Sequence, residues 1–198
     1  MLSPASILGM VGTFVGLVRA LPQLIQLIRS REAHGVSVDT AGTSSVVSFG
    51  WALYGYLTHQ PFVTLATGSS GIIFALITLF AIRFGRSARE IKVTPLWLLA
   101  LLLAHWLGGT TGLGIALPAS VLIANTPQLW IAYNETDLTD LSLGTWLFSI
   151  TDGLIWGSYA LLENDLPILA YGIFQLLTSG MIAALKIAHQ RQQKAAGR

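Results

Sequence analysis

A single acidic side chain, Asp152, interrupts the apolar stretch from Ser142 to Leu162 and precedes Trp156 by four residues. A carboxyl group at mid-membrane depth is costly and faces a partner or water, and the spacing puts it on the same helical face as the indole. Such a pair could carry a proton or hold a polar solute. Trp51 and Trp156 each precede a tyrosine by three residues, Tyr54 and Tyr159. Indole faces suit the C–H surface of a pyranose and equally a cationic head group. Two Pro-Gln pairs, Pro22-Gln23 and Pro127-Gln128, stand inside apolar runs. Proline there removes a backbone donor and frees a carbonyl, and the adjoining amide is placed to take that carbonyl up.

Other chemistries lack their residues. His34, His59, His105 and His189 are scattered without metal-ligand spacing. The chain has neither a Gly-rich phosphate loop nor a nucleophile elbow, so no enzyme, cofactor or metal is expected. The absence of cysteine removes disulfides and thiolate metal sites. The basic residues are accounted for by membrane topology, and nucleic-acid binding has no support.

The elements that must position these groups are membrane helices. Hydrophobic residues make up 53% of the chain and charged ones 10%, against roughly 25% charged in a soluble domain, too few to cover a water-soluble surface. About 20 apolar residues span a bilayer, which predicts seven helices at about 6–28, 40–58, 62–83, 94–109, 111–133, 142–162 and 166–187. Breaks fall at Ala33-His34-Gly35, His59-Gln60-Pro61, Arg83 to Lys92, Gly108 to Gly112, Asn134 to Asp140 and Glu163 to Asp165. No basic residue precedes Arg19, so the N-terminus reads as a retained span and not a signal peptide. Arg29 and Arg31, then Arg83, Arg86, Arg89 and Lys92, then Lys186, Arg191, Lys194 and Arg198 all fall on one face if there are seven crossings. The positive-inside rule makes that face cytoplasmic, with the N-terminus outside.

The chain also repeats itself. The shift that carries Leu21-Pro22-Gln23-Leu24 onto Thr126-Pro127-Gln128-Leu129 carries Val36-Ser37-Val38 onto Leu141-Ser142-Leu143, and Trp51-x-x-Tyr54 onto Trp156-x-x-Tyr159. Pro61 and Pro167 follow with a one-residue slip assigned to the preceding loop. A three-helix unit can recur in parallel only if an odd number of crossings separates the copies, and the span at 94–109 is that crossing. Residues 1–83 then form the first unit, 84–110 a loop and linker helix, 111–187 the second unit and 188–198 a tail.

On these residues the chain resembles the PQ-loop group, which includes SWEET sugar facilitators, half-size SemiSWEETs and lysosomal amino-acid exporters. The stretch from Leu21 to Pro61 carries its most specific features: Pro-Gln, a basic loop, Gly35-x-Ser37, Trp51-x-x-Tyr54-Gly55 and the third-helix proline. The resemblance implies an all-α membrane protein of seven helices, two parallel three-helix bundles plus a linker in a three-one-three plan. It implies a solute carrier in a bacterial inner membrane, with a small-molecule substrate, lipid as solvent, and an oligomer of identical copies left open.

It further implies that Pro22, Gln23, Pro127 and Gln128 are hinges for alternating access, against the plainer reading of static kinks. Trp51 and Trp156 would bracket a central cavity, with Tyr54, Tyr159 and Arg19 as gating residues. Where sugar-binding members place an asparagine in the third helix, this chain has Ala66-Thr67 and Ala170-Tyr171-Gly172. Thr67, Tyr171 and Gln175 then supply hydrogen bonding, joined by Asn125 at the inner vestibule. Asp152, whose repeat mate is Val47, is the candidate for proton coupling, or a structural acid paired with Ser149, Thr151 or Arg19. Arg19 could equally snorkel to the interface, and His105 reads as packing. A sugar facilitator is the leading expectation. A proton-coupled amino-acid exporter and a non-transporting receptor of the same fold are the alternatives.

Overall fold

The computed structural model describes all residues except 1, 136, 137, 139, 140, 197 and 198, with side chains described as far as residue 191. Local sequence sets the helix ends. The side chain of Ser3 accepts from the amide of Ser6 and Pro4 opens helix α1, Pro4–Ser30, which closes on Arg31 in the left-handed conformation. Ser37 caps α2, Val38–Leu57, and Pro61 opens α3, Pro61–Arg83. A 3₁₀ turn at Ala88–Glu90, held by a capping box from Ser87, leads to α4, Val93–Asn134. Ser142 caps α5, Leu143–Glu163, and α6 runs Leu166–Ala196, several residues past the expected end of the last span.

Helix α4 has 42 residues, which would reach about 63 Å if straight, roughly twice the hydrocarbon core. It is two helices joined at Gly109, whose φ of 56° and ψ of −137° are not helical. Residues eight apart in a straight helix lie about 12 Å from each other, yet a Cβ on Gly112 would clash with the Ala104 carbonyl. The chain therefore folds back at Gly109, and the break expected across Gly108 to Gly112 narrows to one residue.

Among the described residues, α1, α3, α4 and the 166–191 part of α6 are long and apolar enough to cross a membrane. Phe14, Leu65, Leu96, Trp106 and Ile115 point outward with more than half of their surface uncovered, as side chains solvated by lipid do. The chain is an integral membrane protein. Helices α2 and α5 fall below the same apolarity threshold because they carry Thr40, Thr43, Ser45 and Ser48, and Thr145, Ser149, Thr151 and Asp152 respectively. Their polar faces need a neighbour other than lipid.

The chain forms two compact units, Met1–Leu117 and Pro118–Arg198. In the first, α3 packs against both α1 and α2, around a core that includes Leu24, Leu27, Val38, Ile73 and Ile77. The first limb of α4, before Gly109, is fastened to this unit by Asp39. Its carboxylate accepts from the Val93 amide at 2.9 Å and from the amide and hydroxyl of Thr94, both at 2.9 Å. In the second unit α5 packs along α6.

Candidate functional site

The two units repeat their geometry at the shift that carries Pro22 onto Pro127. The Val36 amide donates to Ala33 and the Leu141 amide to Leu138. Ser37 and Ser142 accept from Thr40 and Thr145. His59 and Asn164, both with positive φ, end the second helix of each copy. The amides of Gln60 and Asp165 then reach back to the carbonyls of Gly55 and Ala160. Because these bonds keep one constant shift through the loop, the expected slip is absent: Pro61 aligns with Leu166, and Pro167 with Phe62. The two prolines differ by one position in helices that start in the same place.

The paired aromatics follow the same rule. Trp51 and Tyr54 meet edge to face at 5.7 Å and 86°, Trp156 and Tyr159 at 5.5 Å and 78°, and all four are buried. Both tryptophans therefore pack inside the protein and do not serve as lipid-facing anchors. Pro22 and Gln23 are exposed on α1, as is Arg19, while Pro127 is exposed and Gln128 half-buried on α4. Pro22 lies beside an open surface groove lined by Ile25, Gln26, Arg29 and Ser30, all exposed on the same helix.

The remaining candidates separate by unit. Thr67 spends its hydroxyl on the carbonyl of Val63 at 2.6 Å within its own helix, leaving less for a solute than its sequence position suggested. In the second unit, Tyr171 donates its hydroxyl to Asp152 Oδ2 at 2.6 Å, and Asp152 is 5% exposed. Of the partners expected for Asp152, Thr151 instead donates to the Leu147 carbonyl at 3.0 Å. Asn125 donates from Nδ2 to Thr178 Oγ1 at 2.8 Å and to Gln175 Oε1 at 3.4 Å. Tyr171, Gln175 and Thr178 lie at the i, i+4, i+7 spacing of one helical face.

Close approach of backbones brings α5 and α6 together. A Cβ on Gly172 would stand 2.7 Å from Gly157 Cα and 3.0 Å from the Gly153 carbonyl, so only glycine lets Tyr171 reach Asp152. Three features escaped sequence reasoning. Thr178 joins the Asn125 network across helices, which no local pattern announces. Asp39 holds the distant start of α4, although an acid in the first turn of a helix beside a basic loop was the available clue. Lys186, expected with the cytoplasmic basic cluster, is buried at 6% exposure and donates to the Leu138 carbonyl. Its stem is long enough to bury while its ammonium finds a backbone acceptor.

Residues 4–64 match the PQ loop repeat family. An uncharacterized protein of Methanocaldococcus jannaschii is 34% identical over 71 residues, covering 35% of this chain and 75% of that protein. A eukaryotic SWEET transporter has the same fold, with a TM-score of 0.73 over 94% of this chain and 97% of the other at 13% sequence identity.

Proposed function

Because this chain belongs to the PQ loop repeat family, we propose that it is a membrane transporter moving a small polar solute by alternating access. The observation that carries this reading is the duplicated core: two buried Trp-Tyr pairs of near-identical geometry, each downstream of a proline inside a helix. Duplicated bundles with interrupted helices are the usual framework for alternating access. In this reading the chain crosses the bilayer seven times in the three-one-three plan, α4 crossing twice through its turn at Gly109. The N-terminus is outside and the basic loops are cytoplasmic. Pro22 and Pro127 are the flexing points.

For the solute, the indoles of Trp51 and Trp156 favour a sugar taken by facilitated diffusion. The Asp152 and Tyr171 contact favours a second reading, proton-coupled export of an amino acid, because a facilitator needs no ionisable group at this depth. Counterflow in proteoliposomes tests transport itself. Saturable exchange of a labelled sugar or amino acid is expected, and ligand binding without any counterflow would point to a receptor instead. Proton coupling through Asp152 ends if uptake is indifferent both to collapsing the pH gradient and to Asp152→Asn.

A further inference from the structure

The second unit differs from the first at a set of positions that touch one another. At the constant shift relating the copies, Asp152 and Tyr171 replace Val47 and Ala66, and Asn125, Gln175 and Thr178 replace Ala20, Ser70 and Ile73. Except at Gln175, whose counterpart Ser70 is also polar, these positions are apolar in the first copy, and in the second their polar groups bond one another. A Cβ on Gly153, next to Asp152, would stand 3.3 Å from Gln175 Cβ, so the two clusters adjoin. Polar groups at membrane depth are expensive, and a coordinated set of them in one copy of a duplicated bundle marks a binding surface.

Among the described residues of its own unit, no basic side chain pairs with the acid in this set. Lys186 is committed to the Leu138 carbonyl and stands fifteen residues beyond Tyr171 on α6, roughly 22 Å along the axis. His189 and Arg191 lie farther still along the same helix. A carboxylate offers about four acceptor sites, and the phenol of Tyr171 fills one. An ammonium group has three donors to meet the others, and Trp156, on the same face of α5, offers a ring face for a cation.

We infer that Asp152 and Tyr171, with Asn125, Gln175 and Thr178 beside them, form a subsite in the second unit that binds the protonated amine of the solute. The ammonium supplies the positive charge that Asp152 lacks, and the amide and hydroxyl groups hold the solute's neutral polar end. This rests on the transport reading and narrows its substrate class to solutes carrying an amine.

Matched solutes test it on the purified full-length chain: glucosamine against glucose, alanine against lactate, and putrescine against 1,4-butanediol, each read by thermal stabilisation and by counterflow. The amine member of at least one pair is expected to bind more tightly, and Asp152→Asn to weaken it roughly ten- to hundredfold, the worth of a charge-assisted contact. Tyr171→Phe keeps the ring and carries the test should the Asp152 variant fold poorly. Equal response to both members of every pair, no response to any, or an amine preference that survives the substitutions overturns the inference. Amine-selective stabilisation without counterflow leaves the subsite standing and removes the transport reading instead.

Discussion

Asp39 shows how one side chain can fix a distant element. Desolvation pushes its carboxyl pKa upward, but the hydrogen bonds from Thr94, Val93 and Lys92 outweigh it, so the group sits below its ordinary value of 3.8. The folded state therefore favours the charged form. Its contribution to stability is complete above the ordinary value and disappears as pH falls through the lowered one. Asp39→Ala is expected to cost about 1 kcal/mol, the worth of a helix cap, in thermal unfolding near neutral pH. The gap to the parent chain should stay constant down to about pH 5 and close only below about pH 4; a gap that vanishes near neutrality would contradict the cap. No local pattern tied Asp39 to Thr94, because the two are joined only by the fold.

Helices meet closely where side chains vanish. Gly172 faces Gly157 backbone to backbone, so a methyl group there has nowhere to go without parting α5 from α6. Gly172→Ala is expected to destabilise by about 1 to 3 kcal/mol, as overpacking does, and to weaken solute binding as Tyr171→Phe does, because it lengthens the contact that Tyr171→Phe removes. A variant with unchanged melting temperature would show that the two helices part freely. The turn inside α4 makes a second test at this scale. Gly109 holds φ at 56°, a region costing side-chain-bearing residues roughly 1 to 2 kcal/mol, so Gly109→Ala is expected to lower stability while Gly108→Ala, with open space around it, changes little. Equal effects from the two would place the reversal elsewhere.

Crossing number governs the molecule as a whole. If α4 crosses twice, as proposed above, the chain ends face opposite sides of the bilayer. The natural sequence has no cysteine, so Ser3→Cys and Gln190→Cys can be labelled singly in sealed vesicles with an impermeant thiol reagent. Only the Ser3 position is expected to react from outside, and reaction of both from one side would require an even number of crossings. Pro22→Ala and Pro127→Ala extend the test to motion. If the kinks flex, either substitution lowers counterflow severalfold with little loss of solute binding, whereas static kinks leave the rate intact.

Composition, the long apolar runs and the recurrent Pro-Gln and Trp-x-x-Tyr patterns determined the membrane class and the duplication, because lipid imposes length and apolarity residue by residue and a repeat is a property of order along the chain. Ser37 and Ser142 could be read as helix starts for the same reason, since a cap acts within one turn. The partner of Asp152, the linking of Asn125 to Thr178, the burial of Lys186 and the anchoring of α4 by Asp39 were decided only by tertiary structure. Each depends on which faces of separate helices meet and how closely, and spacing along one helix cannot encode the residue that arrives from another.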